Sequence, residues 1–134
     1  MHRTYHGSCH CGAIRFEVDM DLVAGTSKCN CSICRKRRSW TAIVKPEQFR
    51  LIEGSEVLAD YQFGFRTSHH RFCTRCGCAP FGDGHVPEIG GDYVSINLGS
   101  LDDAPLEALA AAPVRYSDGR NNRWREEAAE KAIL

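Results

Sequence analysis

Three cysteines lie within six residues in the segment 29–34 (CNCSIC), and four consecutive basic residues follow at 35–38. So many thiols in so short a stretch are typical of a protein that holds a metal ion. The other five cysteines flank this segment in two groups, Cys9 with Cys11 and Cys73 with Cys76 and Cys78. The division of these eight thiols among metal ions therefore constrains both the fold and the function.

The length and charge are typical of one small globular domain. A chain of 134 residues is expected to bury roughly two-thirds of its unfolded surface, enough for one core, so we interpret residues 1–134 as a single domain. The formal net charge is +0, which predicts no general attraction to nucleic acid or to an anionic membrane. No signal-like or membrane-spanning apolar run is present in the sequence, which predicts a cytoplasmic protein with no membrane partner.

A cytoplasmic location also bears on the cysteines. In a reducing compartment, eight thiols are expected to be metal ligands or reactive groups rather than a disulfide framework. The alternatives are a set of disulfides and a rubredoxin-like iron site, since sulfur ligands and tetrahedral geometry suit iron as well as zinc.

Alternating apolar and polar residues predict a mainly β fold. Strands are predicted at 13–18, 27–30, 40–44, 49–53, 57–63, 66–73 and 92–98. The strands at 49–53, 57–63 and 66–73 follow one another closely, which favours an antiparallel meander. The glycine-rich run 82–91 is predicted to be a loop.

Two short helices are predicted toward the C-terminus. Asp102 or Asp103 is expected to cap the first, which has Pro105 in its first turn and ends at Pro113. The second is predicted within 123–133, where Glu127 and Lys131 have the spacing of a surface ion pair.

Paired thiolates favour zinc, which four protein ligands close into a structural tetrahedral site. If Cys9 and Cys11 meet Cys73 and Cys76, one such site is complete, and the remaining group, Cys29, Cys31 and Cys34, has three ligands. An ion with three protein ligands and one open position is typical of a catalytic centre. Cys78 has two alternatives: it completes the second site as a fourth ligand, or it is a small core residue.

Three motifs together resemble the glutathione-dependent formaldehyde-activating enzyme family, which includes centromere protein V. They are 7–16 (GSCHCGAIRF), 29–35 (CNCSICR) and 71–77 (RFCTRCG), and with 101–103 (LDD) the likeness spans residues 7 to about 103. The resemblance implies a β-tent fold of small antiparallel sheets around two zinc ions. It also implies a carbon–sulfur lyase that joins glutathione to formaldehyde as S-hydroxymethylglutathione.

Carried over by position, the family's metal ligands divide the same way. Cys9, Cys11, Cys73 and Cys76 would hold a structural zinc, and Cys29, Cys31 and Cys34 a catalytic one. The expected partners are a small thiol of the glutathione type and an aldehyde, and Arg35, Lys36 and Arg37 are the candidate contacts for the carboxylates of the thiol. The alternative function is a non-catalytic two-zinc module that contacts a protein or nucleic acid through residues 35–38.

Some aromatic and histidine residues remain. Tyr61 and Phe63 are expected in the core, whereas Phe81 and Trp124 are expected to border the substrate pocket. His69-His70 is a candidate proton shuttle, although an exposed histidine is the commoner case.

Overall fold

The computed structural model describes residues 2–134 and has a mainly β fold in which two sheets pack together. Its strands are β1 Arg3–Ser8, β2 Arg15–Met20, β3 Thr26–Cys29, β4 Thr41–Val44, β5 Phe49–Glu53, β6 Leu58–Tyr61, β7 Ser68–Cys73, β8 Phe81–Val86, β9 Gly91–Asn97, β10 Val114–Asp118 and β11 Arg123–Glu127. Its α-helices are α1 Ser32–Arg37 and α2 Leu106–Ala111. Within residues 2–134 no helix has the length and apolar character that crossing a membrane requires.

One sheet has three strands in the order β1-β2-β5, and the other has eight in the order β11-β10-β3-β4-β9-β8-β7-β6. The pairings are antiparallel apart from that of β10 with β3, which is parallel and sets Ser117 opposite Cys29. This parallel pair brings a C-terminal segment to the end of β3, where the three-cysteine motif begins.

The core lies between the two sheets. Phe16 of the smaller sheet is 1% exposed and packs against Phe81 of the larger sheet, with ring centroids 5.9 Å apart. Phe49 completes an aromatic trio, at 5.5 Å from Phe16 and 4.6 Å from Phe81. The alternation predicted from the sequence is confirmed in β2, where Phe16, Val18 and Met20 are buried.

The prediction of a loop at 82–91 was wrong, because β8 occupies much of it and pairs with β9 from Phe81 to Val86. Gly82 and Gly84 mark close approach within the strand, whereas Gly90 and Gly91, which have positive φ, lie where the chain turns from β8 into β9. A Cβ on Gly84 would lie 2.7 Å from the hydroxyl oxygen of Tyr93, and one on Gly82 would lie 2.7 Å from the carbonyl oxygen of His69.

The predicted C-terminal helix was also wrong. Arg123–Glu127 forms β11 against β10, and the amide of Ala128 donates to the carbonyl of Tyr116 at 2.9 Å. These pairings override the helix propensity of the segment. The ion pair between Lys131 and Glu127 is confirmed, but it forms outside an α-helix.

Two further expectations need correction. β5 and β6 do not form a meander, because β5 pairs with β2 and β6 pairs with β7 in the other sheet. The two aspartates do not cap α2: Asp102 accepts from the Ser8 hydroxyl at 2.7 Å, and Asp103 from the His6 amide at 2.9 Å. They connect the β1 edge to the chain ahead of α2, and Pro105 precedes the helix.

Candidate metal centres

Four sulfurs meet where the two sheets adjoin. Cys9 and Cys11 lie in the turn between β1 and β2, Cys73 is the last residue of β7, and Cys76 lies in the turn after it. The sulfur of Cys11 is 3.6 Å from that of Cys9 and 3.7 Å from that of Cys73, and all four sulfurs lie within 4.8 Å of one another. Tetrahedral zinc–sulfur bonds of about 2.3 Å place sulfurs about 3.8 Å apart, so the four thiols fit a zinc ion.

Backbone amides favour the ionised form of these thiols. The Ile14 amide donates to the Cys9 sulfur at 3.3 Å, and the Arg75 amide donates to the Cys73 sulfur at 3.4 Å. A hydrogen bond from the Cys11 backbone is the main cause that lowers the pKa of Cys76 to about 6. Amides directed at thiolate sulfurs are what a metal-binding turn requires, because the metal binds the deprotonated form.

The second group comprises three sulfurs on neighbouring elements. Cys29 ends β3, Cys31 precedes α1, and Cys34 lies within α1. Their sulfurs lie within 4.8 Å of one another, and each residue is partly buried. Among residues 2–134 no other cysteine, histidine, aspartate or glutamate joins this group within that distance. Cys78 is exposed and belongs to neither group, so neither sequence-based alternative for it describes the structure.

The pKa values of the three thiols are shifted in different directions. Hydrogen bonds with the Cys29 and Cys34 thiols lower the pKa of Cys31, whereas hydrogen bonds with Cys29 and Cys31 raise the pKa of Cys34. The amide of Cys31 donates to the Cys29 sulfur at 3.3 Å. Cys31 is therefore the thiol of this cluster whose ionised form is favoured, and the ionised form is the one that binds a metal.

A C-terminal segment covers one side of the three-sulfur group. The side chain of Asn30 donates to Asp118 at 2.8 Å and accepts from the Arg120 amide at 3.0 Å, which fixes this segment beside Cys29. Gly119 is buried between them: a Cβ there would lie 2.7 Å from the Cys29 sulfur and 2.3 Å from Trp124 Cζ3. Only the backbone of a glycine separates the indole ring from the sulfur, so Trp124 lies beside the three-sulfur group.

Arg37 and His70 lie where the end of α1 meets β7. The Arg37 guanidinium donates to the carbonyl of Arg71 at 3.5 Å, which places the C-terminal end of α1 against β7. Burial lowers the pKa of Arg37, and the charge of Cys34 opposes that shift. Burial also lowers the pKa of His70, Arg37 adds to the shift, and Cys31 opposes it. His70 is therefore close enough to Arg37 and Cys31 for their charges to act on it.

The remaining predicted residues are distributed as follows. Arg35 and Lys36 are exposed on α1, beside Arg37. His69 belongs to a different environment, because its Nδ1 lies 2.7 Å from Asp60. Phe81 lies in the aromatic core and does not border the centre, which corrects that expectation.

Sequence reasoning missed two residues that build the second centre. Asn30 anchors the covering segment, and Gly119 leaves the space between ring and sulfur. Both residues are in contact with distant parts of the chain, and no local pattern indicates that contact. The only available signal was the position of Asn30 between two metal-ligating cysteines.

This small β protein thus carries two cysteine groups, one of four thiols and one of three, and both could hold a metal ion. Residues 4–118 match the model of the glutathione-dependent formaldehyde-activating enzyme family, and the chain belongs to that family.

Two relatives are consistent with this assignment. A Halomonas elongata protein that carries the family's name is 35% identical over 81 residues, which are 54% of this chain and 52% of that protein. The chain thus spans about half the length of this curated relative. A crystal structure of a Rhodobacter sphaeroides protein from a structural genomics project is 32% identical, with a TM-score of 0.69 over 81% of this chain and 98% of that one.

Proposed function

We propose that this protein is a zinc-dependent carbon–sulfur lyase that joins a thiol such as glutathione to a small aldehyde such as formaldehyde. The observation that supports this most strongly is the three-sulfur group Cys29, Cys31 and Cys34, which lacks a fourth protein ligand among residues 2–134. In this proposal the group of Cys9, Cys11, Cys73 and Cys76 holds a structural zinc. A β-tent architecture, a single domain over residues 1–134 and a cytoplasmic location are parts of the same proposal.

The reaction is an addition that needs no oxidant. The thiol loses its proton, its sulfur forms a bond to the carbonyl carbon, the carbon–oxygen π bond breaks, and the oxygen takes up a proton to give a hydroxymethyl thioether. A zinc ion with one open position supplies Lewis acidity that lowers the pKa of a thiol.

Cations of the chain support the addition electrostatically. The three ligand sulfurs form a negatively charged cluster, so an arriving thiolate is repelled unless positive charge lies nearby. Arg37 is close enough to Cys34 for their charges to interact, and Arg35 and Lys36 lie on the same helix. These three residues would offset the repulsion and bind the carboxylates of a glutathione-like thiol.

The basic segment fits the alternative function of a binding module less well. Arg37 and Arg38 donate to the backbone carbonyls of Arg71 and Ile133. The contact of Arg38 directs one of the four cations of the segment at the protein itself, so fewer of them are available to a phosphate backbone. Phosphate binding through the segment would weaken steeply with salt, and the catalytic proposal does not require such a dependence.

Metal content and product formation test the proposal together. Wild type is expected to bind two zinc ions and to form S-hydroxymethylglutathione faster than the uncatalysed background. Cys34→Ser is expected to lose one zinc and the rate enhancement, while Cys78→Ser, the matched control at an exposed thiol in neither group, keeps both. Two zinc ions without any rate enhancement in wild type would refute the proposal.

A further inference from the structure

An aromatic stack lies on the surface, although two of its members, Tyr61 and Phe63, were predicted in the core. Tyr61 is 53% exposed and Phe63 is 41% exposed. The Phe63 ring stacks on Tyr61 at 5.8 Å and 27°, and on His70 at 5.4 Å and 20°. We call Tyr61, Phe63 and His70 the aromatic ledge.

The end of α1 links the aromatic ledge to the three-sulfur centre. Arg37 lies three residues after Cys34 on this helix, and its side chain donates at 3.5 Å to the carbonyl of Arg71, the residue that follows His70 on β7. Tyr61 pairs with His70 across β6 and β7, and Phe63 stacks on His70. Both exposed rings of the ledge are therefore held beside β7. The strand that carries His70 therefore packs against the helix that carries Cys34.

Neither glutathione nor formaldehyde has a ring that could stack on the aromatic ledge. Formaldehyde has no substituent, and glutathione has charged and amide groups but no ring. Exposed apolar faces grouped beside a polar centre are typical of a ligand site, because a planar ligand removes them from water and extends the stack.

We propose that one substrate at the three-sulfur centre carries a planar aromatic substituent that stacks on Phe63 in the aromatic ledge. This inference rests on the proposed function for the reaction, and the aromatic group belongs either to the thiol or to the aldehyde. Arg37 adds a cation beside the site, which suits the electron-rich face of such a ring.

Equilibrium binding to the zinc-loaded protein tests the stacking without catalysis. Benzyl mercaptan is expected to bind about tenfold more tightly than cyclohexylmethanethiol, which has similar size but no planar ring. Phe63→Ala is expected to abolish that difference. Phe65→Ala is the matched control, since Phe65 is 98% exposed, lies two residues away and takes no part in the stack. Zinc content and circular dichroism establish that each variant is folded, and Phe63→Leu provides a second, less disruptive variant.

Turnover identifies which substrate carries the ring. Benzyl mercaptan with formaldehyde and glutathione with benzaldehyde are compared with glutathione and formaldehyde, and kcat/KM is measured for wild type, Phe63→Ala and Phe65→Ala. For the aromatic substrate pair that wild type turns over, Phe63→Ala is expected to lower kcat/KM about tenfold. For glutathione with formaldehyde, the same variant is expected to leave kcat/KM unchanged.

The outcomes separate the two proposals. Turnover of glutathione and formaldehyde without any aromatic preference would overturn the stacking proposal and leave the enzyme standing. Aromatic binding that depends on Phe63, with no turnover of any pair, would refute the enzyme and support the site. Equal effects of the two phenylalanine variants on binding would overturn the stacking proposal.

Discussion

Gly119→Ala is the most informative single substitution at the second centre. The new Cβ would lie 2.7 Å from the Cys29 sulfur and 2.3 Å from Trp124 Cζ3. Unstrained contacts between such atoms begin at about 3.5 Å, so both neighbours are too close by roughly 1 Å. Trp124 is 52% exposed and can move outward, but the sulfur cannot move without leaving the other two cysteines.

The backbone at residue 119 cannot withdraw without cost either. The Arg120 amide donates to the Asn30 side chain at 3.0 Å, and the Asn30 amide donates to the Ser117 carbonyl at 3.2 Å. Losing these two bonds costs about 1–3 kcal/mol, and overpacking costs a similar amount. Either route is expected to weaken zinc binding at the three-sulfur centre by about 5- to 150-fold.

Competition with a chromogenic chelator measures this effect. One zinc per chain is expected to be released at lower chelator concentration in Gly119→Ala, while the other is retained as in wild type. Gly99→Ala is the matched control, because its Cβ would be 3.5 Å from the nearest side-chain atom, an ordinary contact. Unchanged affinity of both ions in Gly119→Ala would refute the placement of this glycine against the sulfur.

Three further predictions concern stability. Cys73→Ser is expected to release the other zinc and to lower the thermal midpoint strongly, because a structural zinc contributes about 10 kcal/mol or more to folding; Cys78→Ser should leave both quantities unchanged. Asn30→Ala removes two side-chain hydrogen bonds that hold the covering segment, and urea denaturation should show a loss of about 1–3 kcal/mol; no loss would contradict this role. Asp19 has its pKa lowered to about 2, chiefly by its hydrogen bond to Arg50, so this stabilisation is complete above about pH 4 and is lost as the pH falls through about 2. The difference in urea midpoint between wild type and Asp19→Asn should therefore shrink between those pH values, and a constant difference would refute it.

The closely spaced cysteines within each candidate metal-binding group were predictable because their geometry is local. Two cysteines separated by one or two residues can reach the same ion almost regardless of the surrounding fold. The structure groups Cys9 and Cys11 with Cys73 and Cys76, as the sequence predicted. The strands β2, β4 and β5 were predictable for a similar reason, since each has its own apolar pattern.

The surroundings of the second centre were not predictable, since they come from distant parts of the chain. The parallel pairing of β10 with β3 joins residues almost ninety positions apart, and the helix propensity after Arg123 indicates the wrong structure. Tyr61 and Phe63 were assigned to the core on their apolar character alone. The edge position of β6, which leaves them exposed, follows from sheet topology.

The parallel pair of β3 and β10 sets an order of events during synthesis on the ribosome. Cys34, the last cysteine of the three-sulfur group, is translated before Cys76, the last cysteine of the four-sulfur group. The residues that cover Cys29 follow position 117 and are translated after both groups. An ion can therefore enter the three-sulfur group of the nascent chain from the side that Gly119 later closes. In the finished protein this route is shut, so replacement of a lost ion must use a different approach or wait for β10 to detach.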